Sequence, residues 1–161
     1  LATKDGFEVD DSFDRIDLVK LNDLLSAKPW VRMFGDSADV ITKKFSNSWA
    51  FGLYRSSGQM VGCMRLITDR VRFAFVADVV IEESLRGRGL GEFMVRTALN
   101  QPETKDCIGY LFCSGSLHKW YTKVDGFCIL AQRGHRICME RLPKSILTLM
   151  PQPPLIDRAA M

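Results

Sequence analysis

One stretch limits the folds open to this chain more than any other: FAFVADVVIEESLRGRGLGEFMVRTALN, residues 73 to 100. It begins with Phe73 to Ile81, an almost unbroken apolar run of β-branched and aromatic residues without Gly or Pro. Such a run predicts a strand buried on both faces. Glu82-Glu83-Ser84 follow, and then Arg86-Gly87-Arg88-Gly89-Leu90-Gly91. Beyond them the period changes. Leu90, Phe93, Met94, Thr97 and Ala98 recur at helical spacing, with Glu92 and Arg96 paired on the other side. A buried strand therefore feeds a glycine-rich turn that opens a helix.

That order has a chemical use. The first N–H groups of a helix have no intrahelical partner and carry the positive end of the dipole. Glycines at 87, 89 and 91 remove side chains that would hold a ligand away from those groups, and Arg86 and Arg88 add full charge. The turn suits an anion with several oxygens, such as a diphosphate. It is not a dinucleotide fingerprint, because Glu92 or Met94 stands where the third Gly belongs, and no Gly-Lys-Ser/Thr comes after it as in a P-loop. Taken as residues alone, the segment also fits a packing corner or an RNA contact.

With its strand and helix, the Arg-x-x-Gly-x-Gly pattern of Arg86, Gly89 and Gly91 resembles the acetyl-CoA motif of the GNAT superfamily of N-acetyltransferases. Phe51-Gly52-Leu53-Tyr54, Met64 to Asp69 and Ala77 to Ile81 are similar to a small bacterial-type subgroup whose acceptor is mostly unassigned. The resemblance covers roughly Asp14 to Leu142. It implies an α+β, α/β sandwich-like fold: a mixed, mostly antiparallel sheet splayed between two parallel strands and flanked by about four helices. It also implies acetyl-CoA as acetyl donor. The diphosphate would lie on Arg86, Gly87, Arg88, Gly89, Leu90 and Gly91. Backbone groups of Val79 and Ile81 would pair with the pantetheine arm where the strands diverge.

Length and composition agree with this picture. The 161 residues fit one domain, expected over residues 1–142, with a Pro-containing tail over 143–161. No apolar run approaches the ~20 residues of a membrane span, and no secretory leader pattern is visible at the start. The net charge of +3 suits a polyanionic ligand and is weak for nucleic acid. Five cysteines without C-x-x-C spacing read as reduced thiols in a reducing, cytoplasmic compartment. The two histidines are not spaced with any Cys pair for zinc, so no metal is expected.

Along the chain, Phe7 to Asp10 reads as a short strand. Asp14 is placed as the cap of a helix to Ser26, with a stripe of Ile16, Val19, Leu24 and Leu25 widened by Leu18 and Leu21. Pro29 ends any helix before Trp30. Asp36 or Ser37 starts another helix with Val40, Ile41 and Phe45 inward. Trp49 to Arg55 and Gln59 to Thr68 form a hairpin about Ser56-Ser57-Gly58. Cys107 to Cys113 is expected to run parallel to the Phe73–Ile81 strand, since a helix joins them. Leu117, Trp120, Tyr121 and Val124 share a helical face ending near Gly126, before a hairpin of Phe127–Leu130 and Ile137–Glu140.

Amine acetylation needs a neutral amine, donors for the oxyanion and a proton for the leaving thiolate. By resemblance the acid is Tyr121, in Tyr-x-Lys-x-x-Gly-Phe, one residue longer than the family stretch. Ser114 stands where the family often has Asn. The alternative for Tyr121 is a core aromatic, since it shares a face with Leu117 and Trp120. Asp78, a carboxylate inside an apolar strand, is the candidate base; burial would raise its pKa, and pairing with Arg65 on the adjacent strand is the alternative. Glu82 and Glu83 could act through water. Cys113 has no His or acid spaced to activate it as an acyl carrier.

The function read from the chain is transfer of an acetyl group from acetyl-CoA to a primary amine, small molecule or peptide, by direct attack in a ternary complex. No nucleic-acid or membrane partner is expected, and the state is monomer or homodimer. The competing readings are a non-catalytic acyl-CoA-binding module and an RNA-binding module using Arg70, Arg72, Arg86 and Arg88.

Overall fold

The computed structural model describes residues 1–148. Eight strands form one sheet in the order β1-β2-β3-β4-β5-β6-β8-β7. They are β1 Ala2–Lys4, β2 Phe7–Asp10, β3 Trp49–Arg55, β4 Met60–Thr68, β5 Phe73–Ile81, β6 Ile108–Ser114, β7 Cys128–Arg133 and β8 Arg136–Arg141. Every neighbouring pair is antiparallel except β5–β6. The helices are α1 Leu18–Ser26, α2 Pro29–Phe34, α3 Ala38–Ser46, α4 Leu90–Leu99, α5 Leu117–Asp125 and α6 Lys144–Leu147. The sheet is the mixed, mostly antiparallel one expected. Among the described residues the helices number six, because α2 and α6, of six and four residues, are too short for the apolar period to reveal. Expectations for the tail beyond residue 148 lie outside the described residues.

Two apolar clusters lie on opposite faces of the sheet. One packs α4 and α5 against inward residues of β2 through β8, among them Phe51, Leu66, Val76, Leu111 and Met139. The other packs α1, α2 and α3 against Ala50, Tyr54, Met60, Cys63 and Val80. The second cluster stops at β5. On that side β6 and β8 are open, which leaves Phe73 49% and Phe112 47% exposed. The strand expected to be buried on both faces is therefore buried on alternating positions in its first half.

The second half of β5 differs because of a bulge. Between the Arg65–Ala77 and Cys63–Val80 pairs, Met64 alone faces Asp78 and Val79. Asp78 takes φ 52, a left-handed conformation that Asp tolerates better than most residues. One extra residue reverses the side-chain parity. Ala74 and Val76 face the α4–α5 cluster before the bulge, and Val79 and Ile81 pack against that same cluster after it, while Val80 turns to the other.

Several local expectations change for reasons of capping. Asp17, not Asp14, caps α1, its carboxylate accepting from the Lys20 N–H at 2.9 Å. Asp14 instead lies in a 3-10 turn at Phe13–Arg15. The register shift leaves Val19 75% exposed and turns Leu21, Leu24 and Leu25 inward. Pro29 does separate α1 from α2, and it also occupies the first turn of α2, where its missing N–H costs nothing. Ser37 caps α3, in which Ile41 and Phe45 are buried but Val40 is exposed.

The Asp78 carboxylate holds the bulge. Arg65 Nε donates to Oδ2 at 2.6 Å and Trp30 Nε1 donates to Oδ1 at 2.9 Å. The pair is buried, with side-chain exposures of 12% for Arg65 and 7% for Asp78. Asp78→Val removes the counter-charge and puts a β-branched residue at positive φ, so a loss of about 3–5 kcal/mol is expected. Asp78→Asn, which keeps an acceptor and tolerates this φ, should lose less. Urea unfolding midpoints of the two variants test the order.

Candidate functional site

The parallel pairing of β5 with β6 covers only Phe73–Val76 against Ile108–Leu111. Past Val76 the two strands part: β5 continues to Ile81 beside β4, and β6 continues to Ser114 beside β8. Glu82 N–H bonds to Val61 O at 2.8 Å on β4. Backbone groups alternate along a strand, so the N–H groups of Ile81 and Val79 turn the other way, into the opening. The splay leaves main-chain donors and acceptors on that edge without a strand partner.

The glycine turn sits at the end of this opening. A 3-10 turn at Glu83–Leu85 leads into it, and α4 begins at Leu90 with Gly89 as its N-cap. The first bond of the helical ladder is Phe93 N–H to Gly89 O at 3.0 Å. No side chain caps the helix, so the N–H groups of Gly89, Leu90, Gly91 and Glu92 precede the ladder. Gly87 and Gly89 have φ of 78 and 72, which disfavours any residue with a Cβ. Gly91 serves differently from the expectation of open access. A Cβ there would lie 3.3 Å from the Trp120 ring and 3.7 Å from Ile81. It is the packing glycine that lets α5 close onto the start of α4.

Charge gathers on the same turn. Arg86 Nη1 lies 3.3 Å from Glu83 Oε1, both exposed. The Arg88 guanidinium lies over the buried Phe7 ring at 5.1 Å. Lys4, at the end of β1, brings Nζ to 3.1 Å from where a Gly89 Cβ would stand. Neither Lys4 nor Arg88 has a carboxylate within 4.0 Å among the described residues. Arg70 belongs to a separate region. It lies over Trp49 at 4.0 Å before β5 begins, and the nine residues of β5 span about 30 Å. The four arginines of the RNA reading do not make one patch.

Tyr121 lies in the middle of α5, edge-on to Trp120 at 4.7 Å and to Phe127 at 6.0 Å. Burial pushes its phenol well above the ordinary range, and the neighbouring Cys113 thiol adds to the shift; no hydrogen bond to the hydroxyl contributes. The proton is held throughout the physiological range. The helix runs on to the residue before Gly126. Asp125 is its last residue, with Oδ2 2.5 Å from Arg141 Nε on β8, and Gly126 turns the chain at φ 71. Cys113 is buried and its thiol raised by desolvation, which is poor preparation for a nucleophile.

The carboxylates near the opening are engaged. Asp78 has both oxygens bonded, by Arg65 and Trp30. Glu82 pairs with Lys20 and lies 3.8 Å from Arg55, and Glu83 is 88% exposed beside Arg86. Among the described residues, no cluster of His, Cys, Asp and Glu could hold a metal. No helix there is long and apolar enough to cross a membrane. Two residues at the opening lay beyond sequence reasoning. Trp120 had a signal, its helical face, but not its target. Lys4 had none, because only the sheet order carries β1 to this turn.

Comparison with known proteins agrees with this geometry. The model of the acetyltransferase (GNAT) family matches residues 21–127, about two-thirds of the chain. No curated protein matches by sequence. Among solved structures, a protein belonging to the GNAT family from Xanthomonas campestris pv. campestris superposes with TM-score 0.67 at 19% identity, covering 91% of this chain and 92% of that one. The PaiA N-acetyltransferase from Thermoplasma acidophilum, solved with coenzyme A, gives TM-score 0.64 at 11% identity over 84% and 98% of the two chains. A spermidine N-acetyltransferase SpeG chimera from Vibrio cholerae and hSSAT gives 0.63 at 15% identity over 88% and 98%.

The packing at Gly91 yields a test. Gly91→Val drives a side chain into Trp120, with an expected loss of about 1–3 kcal/mol and an altered near-ultraviolet circular dichroism. Gly87→Ala meets no atom within 4 Å, so only the positive-φ strain of about 1–2 kcal/mol is expected with the tryptophan signal unchanged.

Proposed function

The chain belongs to the acetyltransferase (GNAT) family, and on that premise we propose that it transfers the acetyl group of acetyl-CoA to a primary amine, with both bound at once. The observation that carries the reading is the uncapped start of α4 at the mouth of the β5–β6 splay. Four N–H groups ahead of the helical ladder, two positive-φ glycines and nearby cations fit a diphosphate. The splay beside it leaves β5 past Val76 without its β6 partner, so its backbone groups can match an amide-bearing arm. These are the features an acyl-CoA requires, and Arg86, Gly87, Arg88, Gly89, Leu90 and Gly91 would hold its diphosphate end.

Acetyl-CoA bound there supplies an activated thioester carbonyl. In this reading the chain's residues orient and balance charge. The N–H groups of Val79 and Ile81 face the opening; that of Ile81, next to the turn, pairs with the arm, and that of Val79, farther from the turn, is the available donor for an oxyanion. Tyr121 keeps its proton at neutral pH and is the acid for the departing thiolate, donating to it first as a hydrogen bond because burial makes full proton loss costly. Asp78 has a positioning role. Its two bonds fix the bulge that aims Val79 and Ile81, and removing a proton would break its pairing with Arg65. Deprotonation of the amine then falls to solvent. The acceptor is a small-molecule or peptide amine.

Thermal shift tests the donor. Acetyl-CoA should raise the melting temperature, and Gly89→Glu should abolish the rise by placing a like charge and a side chain in the turn. No rise at millimolar acetyl-CoA overturns the reading. A thiol-release screen of amines, polyamines, amino acids and peptide N-termini tests transfer; binding without release with any of them would make this a non-catalytic acyl-CoA-binding module.

Tyr121→Phe tests the acid. Turnover should fall by about 100-fold while acetyl-CoA affinity persists. An unchanged rate reduces Tyr121 to packing.

A further inference from the structure

We infer that Lys4, from the amino-terminal hairpin, is a direct ligand of the donor's diphosphate, closing the glycine turn from the side opposite α4. This rests on the acetyl-CoA reading and extends it to a residue outside the 21–127 segment that the family model matches. The β1–β2 hairpin pairs onto β3 at the sheet edge, with Phe7 opposite Arg55. Arg88 of the turn stacks over Phe7, which ties the hairpin to the turn. Lys4 Nζ then lies 3.1 Å from where a Gly89 Cβ would stand, so it hangs over the one residue that caps α4.

Electrostatics makes this placement informative. A cation beside a helix N-terminus faces the positive end of the dipole and is unfavourable there. Here an ammonium and two guanidinium groups are gathered on one such terminus, and Lys4 and Arg88 have no carboxylate within 4.0 Å among the described residues. Glu83 reaches Arg86 and Glu92 pairs with Arg96, so the charges of Lys4 and Arg88 are the ones left without a carboxylate partner among those residues. A dianion in the turn would balance them, accepting from the main-chain N–H groups on one side and from Nζ on the other. Any side chain at position 89 would meet Nζ, so a glycine there also keeps the lysine's approach clear.

The test is affinity for three ligands by calorimetry: coenzyme A, 3′-dephospho-coenzyme A and pantetheine, with wild type, Lys4→Ala and Lys4→Arg. Loss of one charge-assisted contact should weaken coenzyme A and dephospho-coenzyme A equally, by roughly tenfold. Pantetheine should bind both proteins alike, and Lys4→Arg should restore most of the loss. Lys4 is exposed, and the ligand-free melting temperature of Lys4→Ala should equal or exceed that of wild type. Equal affinities of wild type and Lys4→Ala for coenzyme A overturn the inference. Weakening confined to coenzyme A does so too, since it would move Lys4 to the 3′-phosphate. Failure of wild type itself to bind coenzyme A would overturn the acetyl-CoA reading instead.

Discussion

The ion pair between Arg65 and Asp78 holds the geometry on which the rest of the molecule depends. Asp78 sits at the bulge of β5 in a left-handed conformation, with Arg65 and Trp30 on its two carboxylate oxygens. The bulge reverses the parity of β5, so that Val79 and Ile81 stay with the α4–α5 cluster while Val80 crosses to the α1–α3 cluster. A buried carboxylate in a strand is costly alone and tolerable when paired. The same residue that interrupts the apolar pattern thus bends the strand away from β6 and links the sheet to α2.

That bend produces the opening. Strands β5 and β6 share only four paired positions before parting. Their divergence frees backbone groups on β5 without exposing the sheet to aggregation at a full edge, because α4 and α5 close over the α-helical side through Gly91 and Trp120. The glycine turn then delivers unbonded N–H groups to the end of this gap. Acetyltransferase membership and the parting of β5 from β6 are two separate lines, one from the family match over residues 21–127 and one from strand geometry.

Legibility in the sequence was uneven for physical reasons. The parallel strand pair, the turn and α4 were readable because apolar period, glycine placement and helix face are local signals. The α1 cap was missed by three residues, since Asp14 and Asp17 are equally good caps and only packing of Leu21 and Leu25 chooses. The chemistry of Tyr121 was readable as a candidate, whereas its pairing with Cys113 and Phe127 needed the fold. Asp78 illustrates the limit most directly. Its cost was predictable from burial, and the pairing with Arg65 could be weighed, but the bulge and the Trp30 bond depend on residues brought together from three elements.

By itself, the sequence determined that a buried strand runs through a glycine turn into a helix, because each of those states is set by neighbours a few residues away. It thereby determined a helix start without a side-chain cap in its glycine turn and the family resemblance that goes with it. Tertiary structure alone decided how far β5 and β6 stay together, which carboxylates are neutralised, and that Lys4 reaches Gly89. Those outcomes depend on strand register and sheet order, which join residues more than 80 positions apart and leave no mark on local composition.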